Sequence, residues 1–167
     1  VTNSPRPAGV VAGQDSDAKL TLVVASTDTV RMDFLIPALM RIFEDETLDV
    51  EIVGIGPPGE AIRAAGVPIR CVETLPYEKF LLFVAEAKNP VGLIPLDTSV
   101  FSGCKSPIKF LDYSMAGVVS VCSNVPPYSD LVVEGVNGWL VDGTTEAWYA
   151  AVKDWGESPD GRRRRAG

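Results

Sequence analysis

A chain of 167 residues with 46% hydrophobic and 22% charged residues has the length and composition of one folded domain. Its 15 basic and 22 acidic residues give a net charge of −7, which argues against broad nucleic-acid binding because phosphate contacts need a basic face. The sequence contains no histidine, which excludes a Ser-His-Asp triad, a Cys-His dyad and histidine metal ligands.

Short apolar runs and helical periodicities alternate along the chain. The runs predict strands over residues 20–25, 49–55, 67–72, 91–96, 118–122 and 137–141. Helices are predicted through 35–42 with Asp28 or Thr29 as the cap, over 60–65, from 76, over 107–116, over 126–132 and through 148–155. The helix that Pro76 opens carries an apolar face of Tyr77, Phe80, Leu81 and Val84.

This alternation predicts one α/β domain. Strands separated by helices make right-handed crossovers, which give a Rossmann-like parallel sheet with helices on both faces. We expect the domain to span residues 20–156, between a linker or tail over 1–19 and a polar basic tail over 157–167 that contains Arg162–Arg165. A ligand of such a sheet sits beyond the carboxyl ends of the strands, so the loops there are the first places to look for a site.

The three cysteines, Cys71, Cys104 and Cys122, are widely spaced and form no CxxC pair. An odd number without a close pair predicts buried free thiols in a reducing compartment rather than disulfides or a zinc site. We therefore expect a cytoplasmic protein that holds no metal. Asp15-Ser-Asp17 is a literal Asp-x-Asp metal motif, but it lies in the expected linker.

The start of the helix predicted over 107–116 has the features of an anion site. Ser106 followed by Pro107 is typical of a helix cap and first turn. The first free amides, near Ile108 and Lys109, would carry the positive end of the helix dipole. Lys105 and Lys109 add two cations at the same place, and these groups together suit a phosphate.

Asp112 follows Lys109 by three residues and therefore lies on the same helical face. A carboxylate beside a phosphate site is suited to accept hydrogen bonds from vicinal hydroxyls such as those of a ribose, so the cluster indicates a nucleotide. The alternative is structural: Ser106 is only a cap, and Lys109 and Asp112 are only a surface pair. Spacing alone leaves both interpretations open.

A second group of polar residues follows the first predicted strand, over residues 26–31. Ser26 and Arg31 are placed to face a diphosphate at the mouth of the sheet. The same segment is equally suited to be the capped start of a helix.

Gly54, Gly56 and Gly59 form a literal GxGxxG after the second predicted strand, and the acidic Glu73 follows. On pattern this is a dinucleotide fingerprint with its acidic ribose partner. The two residues between the later glycines are prolines, which have no N–H to offer a pyrophosphate. A turn that leaves a strand is therefore the favoured interpretation, and an NAD(P)-binding oxidoreductase is the alternative.

With these residues described, the chain from Leu20 to Trp155 resembles the C-terminal, donor-binding half of a GT-B-fold glycosyltransferase of group 1. The stretch KFLDYSMAGVVSVCS, residues 109–123, resembles the family's K-x-x-E-x-x-A-x-G-x-P-V-V-x-S element. The stretch EGVNGWLV, residues 134–141, resembles its E-x-G-x-N-G-x-L-V element. LPYEKF at 75–80, followed by GLIPL at 92–96, resembles the helix and strand that precede them in the family.

The resemblance implies roles for particular residues. Asp112 stands where the family has the glutamate that binds the donor ribose, and the helix start at Ser106 to Lys109 stands where the donor diphosphate is held. Glu73 and Thr74 stand near where the family contacts the base.

The chain departs from the family pattern at two places. Arg31 stands for the lysine of the family's phosphate loop, but Ser26 replaces the arginine of that loop. Cys104 occupies the position where the family often has a glutamate that contacts the donor sugar.

The resemblance also implies the kind of enzyme. The family's GT-B members are generally metal-independent, and we expect no cofactor. The expected ligand is a nucleoside-diphosphate sugar, a UDP- or GDP-sugar first. The acceptor, a glycan or lipid-linked glycan in polysaccharide biosynthesis, would be held by a second domain that this chain is too short to contain. Any membrane association would belong to that half, and the chain alone should bind nucleotide weakly without turnover. A non-catalytic module that binds sugar nucleotides is the remaining alternative.

Overall fold

Six parallel strands form one sheet in a computed structural model that describes residues 19–27, 32–99 and 104–157. The strands are β1 (Leu20–Ala25), β2 (Val50–Ile55), β3 (Arg70–Val72), β4 (Pro90–Ile94), β5 (Val119–Ser123) and β6 (Trp139–Val141). They lie in the order β3-β2-β1-β4-β5-β6, and every neighbouring pair is parallel. Strands β2 and β3 are therefore added on one side of β1, and β4 to β6 are added on its other side. The strand order reverses between β1 and β4.

Helices cover both faces of this sheet. They are α1 (Leu35–Glu44), α2 (Pro57–Ala64), α3 (Tyr77–Glu86), α4 (Ile108–Met115), α5 (Tyr128–Leu131) and α6 (Thr145–Glu157). One apolar cluster joins α1, α2 and α6 to the sheet, and a second cluster joins α3, α4 and α5 to its other face. The predicted Rossmann-like α/β fold is confirmed.

Several helices and strands begin or end at residues other than those predicted, for local reasons. Helix α2 begins at Pro57 rather than at residue 60, because proline is well tolerated in the first turn of a helix. Pro37 is the third residue of α1 and therefore also lies in a first turn, where proline is tolerated. Strand β3 has only three residues, since it pairs on one side alone, at the sheet edge. The predicted caps Asp28 and Thr29 lie outside the described residues.

The prediction that all three cysteines are buried is wrong. All three are free thiols, but Cys104 is exposed and Cys71 is half-buried. Cys122 alone lies in the core, where burial raises the pKa of its thiol to about 12. Cys122 is buried because it lies in the central part of the sheet, on β5, whereas Cys104 precedes α4 at the surface.

None of the described helices is both long and apolar enough to cross a bilayer.

A charged cluster joins the end of α1 to α6. Asp45 accepts hydrogen bonds from Lys153 Nζ at 2.8 Å and from the Tyr149 hydroxyl at 2.5 Å. It also accepts hydrogen bonds from the Thr47 amide and hydroxyl, at 3.0 and 2.6 Å. These donors, Lys153 first, hold the pKa of the Asp45 carboxyl well below its usual range. The cluster therefore favours the ionised carboxylate in the folded protein.

Asp45→Asn should lower the melting temperature at neutral pH. The melting temperature of this variant should also fall less than that of the wild type as the pH is lowered. A carboxyl whose pKa falls on folding contributes its full stability above the unfolded pKa of about 4, and loses it as pH drops towards the folded value. Thermal melts of both proteins between pH 2 and pH 7 should show a constant gap at the upper end that narrows progressively below about pH 4. Asp130→Asn, on an exposed residue of α5, is the matched control. A gap that is independent of pH would contradict this role for Asp45.

Candidate functional site

A cleft of about 190 Å³ opens at the carboxyl ends of β1 and β2, beside the point where the strand order reverses. Open α/β sheets bind their ligands at this position, because the loops on the two sides of a reversal diverge and leave a crevice. The walls come from three further segments: the loop after β3, the start of α3, and α4. Polar groups and apolar groups both line it, including Ser26, Thr74, Tyr77, Phe80, Lys109 and Asp112.

Helix α4 supplies the two charged residues of the cleft. Phe110 and Tyr113 are buried against the sheet, which fixes the rotation of the helix about its axis. Lys109 and Asp112, three residues apart, consequently share the face that borders the cleft. Asp112 is only 5% exposed although it lines the cleft, so it is a carboxylate that the fold holds in place.

Lys109 is half-buried against an aromatic ring. Its Nζ lies 4.6 Å from the centre of the Phe80 ring, within the range of a cation–π contact. Burial lowers the pKa of the ammonium, and the negative charge of Asp112 partly opposes that shift. A cation that has lost part of its water interacts more strongly with an incoming anion than a solvated lysine does.

Tyr77 completes the wall, and the sequence analysis did not identify it as a site residue. The neighbouring Asp112 side chain, and after it burial, raises the pKa of Tyr77. The hydroxyl oxygen also lies 3.8 Å from Met115 Sδ. Tyr77 was predicted on the apolar face of its helix, yet it is 51% exposed. The feature of the sequence that could have identified Tyr77 as a site residue is Pro76. It places Tyr77 in the first helical turn after β3, at the edge of the sheet where ligands bind.

Four of the predicted site residues, Ser26, Thr74, Lys109 and Asp112, meet at the cleft. The remaining described ones, Glu73, Lys105, Ser106 and Ile108, do not line it. Arg31 lies outside the described residues.

Ser106 does not cap α4, which is a correction to the predicted helix start. The residue at the cap position is Pro107, and no side chain caps the helix there. The first α-helical bond runs from the Leu111 amide to the Pro107 carbonyl, at 3.2 Å. Helix α4 therefore begins at Ile108, whose side chain is exposed.

The glycine motif shapes the turn between β2 and α2 and does not line the cleft. Gly56 has a φ of 79°, a left-handed conformation that glycine adopts without strain. A Cβ on Gly54 would overlap Gly59 Cα, so these two glycines let the helix approach the strand. Pro57 has no N–H, and the Gly59 N–H donates to the Gly56 carbonyl at 3.1 Å. The geometry favours the structural turn over the dinucleotide site.

Across the described ranges, no group of three or more Cys, Asp or Glu side chains is arranged to hold a metal ion. The Asp15-Ser-Asp17 motif falls outside those ranges.

Comparison with known proteins identifies the family. The family model described as "Glycosyl transferases group 1" matches residues 18–157. No curated protein sequence matches the chain.

Solved structures of low sequence identity share the fold. HepE of Anabaena in complex with UDP-glucose has a TM-score of 0.62 and 13% identity, over 90% of this chain and 43% of that one. A putative UDP-N-acetylglucosamine 2-epimerase from Listeria monocytogenes has a TM-score of 0.66 and 16% identity, over 90% and 40%. The lipopolysaccharide outer core galactosyltransferase WaaB has a TM-score of 0.60 and 16% identity, over 87% and 42%. The chain thus spans about two fifths of the length of these proteins.

Proposed function

The chain belongs to the group 1 glycosyltransferases, and we propose that it is the part of such an enzyme that binds the nucleoside-diphosphate sugar donor. The observation that carries the proposal is the pair of opposite charges, Lys109 and Asp112, on one helix face in the cleft at the carboxyl ends of β1 and β2. A donor of this class offers a diphosphate for the cation and vicinal hydroxyls for the carboxylate.

Asp112 is the proposed acceptor for the ribose hydroxyls. Its carboxylate has two oxygens that accept up to about four hydrogen bonds, which suits two neighbouring hydroxyl donors. Thr74, which also lines the cleft, and the adjacent Glu73 are the proposed contacts for the base. UDP is the first nucleotide to test, since HepE, a structure of the same fold, is in complex with UDP-glucose.

The diphosphate is proposed to lie at the start of α4. The first amides of a helix have no partner within the helix, and they carry the positive end of its dipole. Ile108 and Lys109 provide such amides, Lys105 and Lys109 provide cations, and Ser106 precedes them in the same loop. Ser26 and Arg31 are proposed to reach the diphosphate from the loop after β1.

The proposed chemistry is transfer of a glycosyl group, of the hexosyl type. The bond between the sugar and the diphosphate breaks, and negative charge develops on the departing nucleoside diphosphate. Lys109 and the amides at the start of α4 would stabilise that charge electrostatically. The acceptor, a glycan or a lipid-linked glycan, is proposed to bind to a further domain. Three free thiols are in keeping with a reducing, cytoplasmic location.

Nucleotide titrations test the proposal. Calorimetry or NMR titration against UDP, GDP, ADP and NAD should show that a nucleoside diphosphate binds more tightly than NAD. Asp112→Ala should weaken binding of the preferred diphosphate by about 1–3 kcal/mol, the usual range for removing the acceptor of charge-assisted hydrogen bonds. Asp130→Ala, which removes an exposed carboxylate on α5, should leave the affinity unchanged.

Two results would overturn the proposed function. One is tighter binding of NAD than of any nucleoside diphosphate. The other is unchanged diphosphate affinity in an Asp112→Ala protein whose circular dichroism matches that of the wild type.

A further inference from the structure

The Lys109 ammonium is supported by an uncharged side chain. Its Nζ lies 4.6 Å from the centre of the Phe80 ring, and both residues line the cleft. The face of an aromatic ring attracts a cation through its quadrupole and brings no negative charge of its own. A carboxylate in the same place would neutralise the ammonium, whereas the ring holds it and leaves its positive charge for an incoming anion.

The Phe80 ring is itself held by a second ring. The centres of the Phe80 and Tyr113 rings are 5.8 Å apart at an interplanar angle of 59°, within the range of favourable aromatic pairs. Lys109 and Tyr113 are four residues apart on α4 and therefore lie on one side of that helix. Phe80, from α3, thus contacts two α4 residues that are one helical turn apart.

Tyr113 is anchored to the sheet. It is fully buried, and its hydroxyl donates a hydrogen bond to the Val23 carbonyl of β1 at 3.4 Å. A Cβ on Gly92 of β4 would lie 2.6 Å from Tyr113 Cδ2, so the ring packs directly on the glycine backbone. A continuous series of contacts therefore leads from the central strands through Tyr113 and Phe80 to Lys109.

Phe80 offers little surface of its own to a ligand, since it is only 5% exposed although it lines the cleft. Its effect on a ligand must therefore pass through Lys109. A lysine has a flexible four-carbon stem, and ordering such a side chain when an anion binds carries an entropic penalty. A ring that orders the ammonium beforehand removes part of that penalty.

We propose that Phe80 is a positioning residue: its ring holds the Lys109 ammonium at a fixed place in the cleft, without compensating its charge, for the diphosphate of the donor. This inference rests on the proposed function for the identity of that ligand. It follows that loss of the ring should weaken ligands that carry phosphate groups and leave those without phosphate unaffected.

The first experiment tests the contact in solution and needs no ligand. The Lys109 Hε protons, next to an ammonium that lies over a ring face, should resonate upfield of those of Lys79, an exposed lysine of α3. Phe80→Leu should abolish the difference. Lys109 Hε protons that resonate with those of Lys79 in the wild type, or an upfield shift that persists in Phe80→Leu, would overturn the proposal.

The second experiment compares UDP with uridine, which has no phosphate. Phe80→Leu should weaken UDP about fivefold, the typical effect of one cation–π contact or of ordering one long side chain, and leave uridine unchanged. In a Lys109→Met background the same change should weaken UDP no further, because Phe80 acts only through Lys109. Equal losses for UDP and uridine, or equal losses in the two backgrounds, contradict a positioning role.

Two further variants complete the design. Phe80→Met keeps an apolar side chain of similar size without a ring, so it should behave as Phe80→Leu does and replaces it if that protein does not fold. Phe83→Leu is the matched control, since the Phe83 ring, also on α3, contacts the Arg70 guanidinium at 5.3 Å and does not line the cleft. It should change neither the Lys109 Hε shift nor the UDP affinity.

The two proposals fail separately. Failure of the proposed function appears as an Asp112→Ala protein that binds UDP normally. Failure of this inference appears as a Phe80→Leu protein with unchanged UDP affinity, although Lys109→Met weakens UDP.

Discussion

Trp148→Ala is expected to destabilise the domain by about 3 kcal/mol, the lower end of the range for truncating a buried tryptophan. Trp148 is fully buried in α6 and stacks on Phe34, with ring centroids 5.7 Å apart. Its removal opens a cavity between α6, α1 and the sheet. Among the residues that the structure describes, its buried Nε1 has no hydrogen-bond partner, and removing an unpaired donor offsets part of the cost. The lower end of the range is therefore the better expectation.

Urea unfolding at neutral pH measures this effect. Leu82→Ala is the control, because that leucine on α3 is 61% exposed and should cost less than about 0.5 kcal/mol. A loss below about 1 kcal/mol for Trp148→Ala would mean that α6 is not part of the cooperative unit. In that case the proposed C-terminal boundary of the domain, at residue 156, would have to be placed before α6.

Gly54→Ala is expected to cost about 3 kcal/mol of stability, the upper end of the usual range for overpacking. A Cβ at Gly54 would overlap Gly59 Cα and lie 2.9 Å from Gly59 N, so the obstacle is backbone rather than a flexible side chain. Relief requires α2 to move away from β2. Gly143→Ala is the control, since a Cβ there meets nothing closer than 3.9 Å.

The same variant separates the two interpretations of the glycine motif. If the glycines serve only the β2–α2 turn, folded Gly54→Ala protein should bind UDP as the wild type does. Urea unfolding and a UDP titration below the unfolding transition measure the two effects independently. Normal stability combined with lost nucleotide binding would favour the dinucleotide interpretation instead.

The charges that line the cleft are in keeping with the proposed donor site in a chain without histidine. A nucleoside diphosphate is a good leaving group whose departure needs charge stabilisation more than proton transfer. Under the proposed function, a partly desolvated ammonium at Lys109 and the amides at the start of α4 are the groups that would supply such stabilisation. Asp112 would then orient the ligand without taking part in bond breaking, which keeps it a binding residue.

The amino-acid sequence alone determined the layered fold, because strand and helix periods are local properties of the chain. It also determined that Lys109 and Asp112 share a face, since i,i+3 spacing needs only a helix. The prolines in the glycine motif were enough to favour a turn, because a missing N–H is a covalent fact.

Tertiary structure alone decided which of these residues meet. Three features depend on tertiary packing, which a local sequence pattern does not encode. They are the exposure of Cys104, the cap of α4 at Pro107 and the short length of β3. Tyr77 and Asp112 line one cleft only because α3 and α4 lie on one face of the sheet. The contact of the Tyr77 hydroxyl with Met115, 38 positions along the chain, is set by that packing. For this reason the apolar pattern of α3 did not indicate that Tyr77 faces the cleft.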